Sequence, residues 1–303
     1  MQSMFHWISR RRLAPPKRLG LLNRLTAQSS LQERIVSSVV QTDPYPYFVA
    51  EDVLPAAVLP DVCKHWPERP DFQPEIAHNY TCELLNNWIS DRRKREFWHA
   101  FSKSYGREIS AAAIIQFKPW ISALYGDDIE VLMARITLME SDPTYQGHGC
   151  HTHHYHDPLW VGTLLLYLDA DATGYPGTTM QRYAAIGVDE QAKMAAKTLR
   201  WHDDPGMTEA ITVDYRQNRL FGMFDSPISY HSVHAAKPNA VGHRRIFRVH
   251  LTVAPGAAKK VYGVSLDQYR QQRNQPTNDP TVVAWLARDI ERLTRQSRAY
   301  AGA

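Results

Sequence analysis

From about residue 129 onward the chain is written in short β-rich runs. "IEVLMARITLME", "WVGTLLLYLDA", "AITVDY", "NRLFGMF" and "RRIFRVHLTV" are separated by Gly, Pro, Asp and Asn. No long helical pattern alternates with them, which argues against a parallel sheet with crossover helices. A sandwich or jelly roll is expected instead. The runs occupy 129–255, with a polar insertion at about 182–210 that reads as a solvated loop or a lid. Residues 33–128 read as a largely helical part packing on this barrel. Pro44 and Pro46 suit an edge strand, and Val58, Leu59, Val62 and Trp66 then fall at helical spacing. Residues 256–303 read as a helical tail. Asp279 can cap a helix with Pro280 in its first turn, and Val282, Trp285 or Leu286, Ile290 and Leu293 form one apolar stripe. The expected class is mainly β with α: a jelly roll flanked by N-terminal helices and a C-terminal helix.

Within this β region, "GHGCHTHHYHDP" (147–158) holds five of the chain's 14 histidines in nine positions. The run lies mid-chain and is interrupted by Cys, Thr and Tyr, unlike a tag. Imidazole is the commonest metal ligand near neutral pH. A distant partner exists in His231, which follows a strand and a turn, and Arg244 and Arg245 open the next strand. A jelly roll can bring such strand ends together around one pocket. Two neighbouring ligands and one distant histidine leave metal positions open, as oxygen chemistry requires. Alternation separates the arginines. Arg245 shares a face with Phe247, Val249, Leu251 and Val253, suited to packing beneath helices. Arg244, Ile246, Arg248 and His250 share the other face, polar enough to line a pocket. A guanidinium there can fork onto a carboxylate, and Arg244 is the first choice, with Arg248 as neighbour or substitute.

Other features narrow the field. Cys63, Cys82 and Cys150 form no CxxC pair, which argues against a disulfide framework and a cysteine-ligated zinc site and favours a reducing, cytoplasmic setting. The apolar runs are too short to span a membrane. Residues 1–32 form a basic lead-in with no acidic residue. "DRRKREFWHAFSKSYGR" reads as a solvated helix face rather than a nucleic-acid surface. No phosphate-binding glycine loop and no nucleophile elbow is present. His234 could compete with His231 as a ligand, and His202, Asp203 and Asp204 lie in the polar insertion.

Taken together, "PYPYFVAEDVLP", "TLLLYLDAD" followed by "GTTM", then "NRLFGMF", "YHSV" and "RR" resemble the iron(II)- and 2-oxoglutarate-dependent dioxygenases of the prolyl-hydroxylase-like type. The resemblance covers about residues 43–255. It implies a double-stranded β-helix and a hydroxylase using Fe(II), 2-oxoglutarate as cosubstrate and dioxygen on a small-molecule or peptidyl substrate. It implies that His231 is the distal iron ligand and that an arginine opening the next strand holds the far carboxylate of 2-oxoglutarate. The family's proximal His-x-Asp does not appear in its usual place. Counting back from "TLLLYL" lands on His154-Tyr155-His156, with Asp157 one place late, while His151-Thr152-His153 copies the wording further upstream. Some relatives carry His-x-His before a Trp and the strand, as "HYHDPLWVGTLLLYL" does. His154 is then the expected first ligand, with His156 or Asp157 as the second. Residues i and i+2 share a strand face, which favours His156, whereas Asp157 needs a turn that Pro158 would allow. The irregular motif leaves two rivals: a non-catalytic jelly-roll binding protein, and a cupin-like enzyme with three histidines that does not use 2-oxoglutarate.

Overall fold

Twelve strands form two antiparallel sheets in the computed structural model, which describes residues 31–303 apart from 76–77, 85–87, 156, 158, 184–185, 198–205, 274–276 and 303. The basic lead-in before residue 31, His156 and the residues His202, Asp203 and Asp204 lie outside the described residues. The larger sheet runs in the order β1 (Val40–Gln41), β2 (Tyr47–Ala50), β10 (Leu220–Met223), β7 (Trp160–Tyr167), β12 (Arg244–Val253), β5 (Val131–Ser141), β4 (Asn79–Glu83) and β3 (Gln73–Pro74). The smaller sheet runs β6 (His148–His151), β11 (His231–Val233), β8 (Thr178–Tyr183) and β9 (Met207–Val213). This is the expected jelly roll. The part before residue 129 also contributes strands, which extend both edges of the larger sheet. Its outermost members are only two residues long, a length that limits pairing with another chain.

Period-two alternation fixes what each face does. Between the sheets, Leu165, Tyr167, Phe221, Met223 and Ile246 meet Met180 and Val213 in one buried cluster. On the other face of β12, Phe247, Val249, Leu251 and Val253 are buried under helices, as the alternation requires. Those helices are α1 (Leu31–Val36), α2 (Leu59–Lys64), α3 (Arg92–Phe101), α4 (Arg107–Tyr125) and α6 (Gly256–Tyr262). Trp98 of α3 stacks on Phe247 with ring centroids 6.2 Å apart, and Phe101 meets the same ring edge-on at 5.1 Å. Burying one such aromatic side chain stabilises the fold by roughly 1.5–3 kcal/mol.

Two further helices, α7 (Leu266–Arg273) and α8 (Pro280–Ala301), close the chain. Asp279 caps α8 by accepting from the Thr281 amide at 2.8 Å, and Val282, Leu286, Ile290 and Leu293 are its buried stripe. The insertion read as a polar loop contains α5 (Val188–Lys197), whose Ala192, Ala195 and Ala196 pack on Val282, Leu286 and Ile290. Its buried face consists of alanines, so it carries little hydrophobic signal. Among the described residues, no helix is long and apolar enough to cross a membrane.

Candidate metal centre

Strands β6 and β11 pair so that His151 lies opposite His231, with Met180 of β8 on the other side of His231. After β6 the chain enters a short 3₁₀ turn at His153–Tyr155, which carries His153 inward. The ring of His231 is 4.3 Å from that of His151 and 4.5 Å from that of His153. All three residues are buried, and one ring nitrogen from each lies within 4.8 Å of the others.

The state of these imidazoles follows from their surroundings. Burial pulls the pKa of His151 down to about 4, and burial, then the neighbouring His151 and His153, hold His231 well below the ordinary histidine value. Both are therefore neutral near pH 7, as metal ligands must be. His151 Nδ1 donates to the Gly149 carbonyl at 2.9 Å, and His231 Nδ1 donates to the Ser229 carbonyl at 3.0 Å. A carbonyl can only accept, so the proton sits on Nδ1 and Nε2 is the basic nitrogen.

His153 is fixed by side chains instead. Its Nδ1 is 2.8 Å from Thr163 Oγ1 and 3.2 Å from Asp225 Oδ1. The Thr163 hydroxyl donates to Asp225 Oδ2 at 2.7 Å and also meets His250 Nδ1 at 2.9 Å. A hydroxyl has one proton and two lone pairs, so donation to Asp225 makes it the acceptor for both imidazoles. His153 thereby carries its proton on Nδ1 as well. Three imidazoles with this tautomer form a donor set suited to zinc, copper, iron or nickel.

The arginines on the inner face of β12 separate by position. Arg248, two residues before His250, is buried; its Nε donates to Thr137 Oγ1 at 2.9 Å. Its Nη2 lies 3.7 Å from Glu75 Oε1, too far for a hydrogen bond, and has no hydrogen-bond partner. The Arg248 charge contributes to lowering the pKa of both His151 and His231. Arg244 is six residues from His250, roughly 20 Å along a strand. It lies among tyrosines, its guanidinium 5.8 Å from the ring centres of both Tyr167 and Tyr215.

The other expected ligands face elsewhere. His154 Nδ1 accepts from Arg273 of α7 at 3.3 Å, and Asp157 pairs with Arg270 of α7 at 2.5 Å. Neither joins the converging ligand atoms; both tie the connection before β7 to a helix. His156 lies outside the described residues. His234 faces solvent and pairs with Glu209 at 2.9 Å. Counting back from β7 lands on His154 and not on the converging His151 and His153, because the 3₁₀ turn and an Asp157-capped turn consume residues before the strand. Asp225 directly follows "NRLFGMF" and Thr163 opens "TLLLYLDAD", but nothing in either run marks these two side chains, whereas His250 is visible on the polar face of β12. His148 flanks the trio, its ring 4.3 Å from that of His151, and lines an open cleft of about 390 Å³ with Gln146, Gln181 and Ser232.

No family model matches the chain, and no curated protein matches it. Solved structures similar to it include an oxidoreductase of the 2-oxoglutarate–Fe(II) oxygenase family from Burkholderia pseudomallei, at 9% identity and a TM-score of 0.41, covering 68% of this chain and 84% of that one. A prolyl hydroxylase from Trichoplax adhaerens, solved with a hypoxia-inducible-factor peptide fragment, is 12% identical with a TM-score of 0.44, over 73% and 89% of the two chains. A Pseudomonas putida prolyl-4-hydroxylase is 11% identical with a TM-score of 0.40, over 73% and 98%. The chain is thus similar to oxygenases of this kind at low identity, and its chemistry has to be read from its own side chains.

Proposed function

We propose that the chain is a non-haem iron(II)- and 2-oxoglutarate-dependent oxygenase, a hydroxylase of a small-molecule or peptidyl substrate. The observation that carries this reading is one juxtaposition: three buried, converging imidazoles and, close by on the facing sheet, a buried guanidinium with a nitrogen that makes no hydrogen bond. His151, His153 and His231 would hold the iron. Arg248, steadied by Thr137, would hold the far carboxylate of 2-oxoglutarate. The residues fit both groups, because the three imidazoles hold their Nδ1 protons on acceptors and leave Nε2 for a metal, and the arginine retains a donor for an anion. When bound, iron and 2-oxoglutarate supply the oxidising chemistry with dioxygen. The protein orients the cosubstrate along β12, keeps the ligand protons on Nδ1, and excludes water through the apolar cluster around Tyr167, Met180 and Phe221.

A second reading is favoured by one observation: the trio contains no carboxylate. A three-histidine metal enzyme that does not use 2-oxoglutarate has that donor set. Anaerobic loading of purified protein with iron(II), followed by an assay of 2-oxoglutarate conversion to succinate, separates the readings. Iron binding with succinate formation supports the oxygenase. Iron binding without 2-oxoglutarate binding supports the three-histidine enzyme, and binding of neither supports a non-catalytic binding protein.

A further inference from the structure

Ferrous oxygenases usually bring a carboxylate to the metal, so that part of the ion's double charge is neutralised at the first contact. Three imidazoles neutralise none of it, and an uncompensated charge between two sheets is costly. Asp225 stands immediately behind the trio, just after β10, with its side chain fully buried. We propose that Asp225 is the carboxylate of this metal site, moved from the metal to the back of His153, where it balances charge and positions the ring. The inference rests on iron being held by His151, His153 and His231.

Three observations converge on it. His153 Nδ1 faces Thr163 at 2.8 Å and the Asp225 carboxylate at 3.2 Å, whereas Nδ1 of His151 and of His231 donates to a backbone carbonyl. Both Asp225 oxygens are engaged, Oδ1 toward His153 and Oδ2 as acceptor from Thr163. The Thr163 hydroxyl is itself held by His250, whose ring stacks on Trp160 at 4.1 Å and 14°. The register explains the meeting: Thr163 of β7 lies opposite Met223 of β10 on one side and His250 of β12 on the other.

The same atoms admit another reading, since ligand atoms of His153, Asp225 and His250 also lie within 4.8 Å of one another. The Thr163 hydroxyl argues against a cation among them. It lies 2.8 Å from His153 Nδ1, 2.9 Å from His250 Nδ1 and 2.7 Å from Asp225 Oδ2, so it fills the position a metal would take. The group is a hydrogen-bonded support for one ligand.

A carboxylate behind a ligating imidazole strengthens that ligand and favours the higher oxidation state of the metal. Asp225→Asn keeps the shape and removes the charge. Iron(II) affinity, measured by competition with a chromophoric chelator, should fall by about 10–100-fold. The Fe(III)/Fe(II) potential, measured without substrate by spectroelectrochemistry, should rise. Thr163→Val should move both in the same direction by less. A swap guards against simple misfolding. His153→Asp puts a second carboxylate beside Asp225, and like charges oppose each other there. The double variant His153→Asp/Asp225→Asn should therefore bind iron(II) more tightly than His153→Asp alone. Wild-type protein that binds no iron overturns the metal site and this inference with it. Iron-binding wild type with an unchanged potential in Asp225→Asn, or no gain in the double variant, overturns the inference alone.

Discussion

Replacing Arg248 by methionine tests the cosubstrate site most directly. The guanidinium is buried, is held at Nε by Thr137, and among the described residues its Nη2 has Glu75 Oε1 at 3.7 Å as its acidic neighbour. Burial pulls its pKa below the ordinary arginine value, and Glu75 works in the opposite direction. A carboxylate arriving at Nη2 would complete a buried pair. Removing one member of such a pair costs about 3–5 kcal/mol. At about 1.4 kcal/mol per factor of ten, 2-oxoglutarate affinity should fall by roughly 10²- to 10³·⁵-fold. Arg248→Lys should recover part of that, because a point charge cannot reproduce the two-pronged fork. Iron affinity should change little, since Arg248 is not one of the converging ligands. Titration of 2-oxoglutarate into anaerobic, iron-loaded protein, followed by its metal-to-ligand charge-transfer absorption, reads the affinity. Unchanged affinity in Arg248→Met with a large loss in Arg244→Met would refute the assignment and move the anchor to the tyrosine-lined end of β12. Iron-loaded wild type that binds no 2-oxoglutarate would remove the cosubstrate altogether.

Four other outcomes follow. His151→Ala should abolish most iron binding while His154→Ala leaves it nearly intact, because His154 faces Arg273; isothermal titration with iron(II) decides, and the reverse order would restore His154 as the ligand. Metal-free protein should lose stability on acidification. Above about pH 6.5 His151 is neutral whether folded or unfolded, but below it the unfolded chain takes the proton first, until the folded pKa near 4 is reached. The cost accumulates at about 1.4 kcal/mol per pH unit for that one residue, with His231 acting in the same direction; equal urea midpoints at pH 7.5 and pH 5 would contradict it. Gly177→Ala should destabilise by about 1–3 kcal/mol or more, because an added Cβ would lie 1.6 Å from the Val213 carbonyl oxygen and force β8 and β9 apart; an unchanged thermal midpoint would count against that packing. Asp279→Ala should cost about 1 kcal/mol through loss of the α8 cap, read from the same unfolding curves.

What was legible in the sequence follows the periodicity of its elements. Alternation along β12 placed Phe247, Val249, Leu251 and Val253 under the helices and Arg244, Arg248 and His250 between the sheets, because a strand's two faces are set by residue parity. Parity does not say how far along a strand a residue lies from a ligand on another sheet. That depends on the register between β11 and its neighbours, and it is what separates Arg248 from Arg244. Of the proximal histidines, His151 ends β6 and His153 falls in the connection after it, where periodicity gives no ruler. Their turn is shaped by contacts with α7, more than 100 residues later in the chain. Asp225 is the clearest case. Nothing in "NRLFGMFDSP" marks it, and it gains meaning only when β10 and β12 pair on either side of β7. Two imidazoles of the trio, His151 and His153, are written together in one stretch, but His231 and the carboxylate beside His153 come from later strands. A reading that searches for the metal's charge partner beside the histidines in sequence therefore arrives at Asp157, which the fold uses to hold a helix.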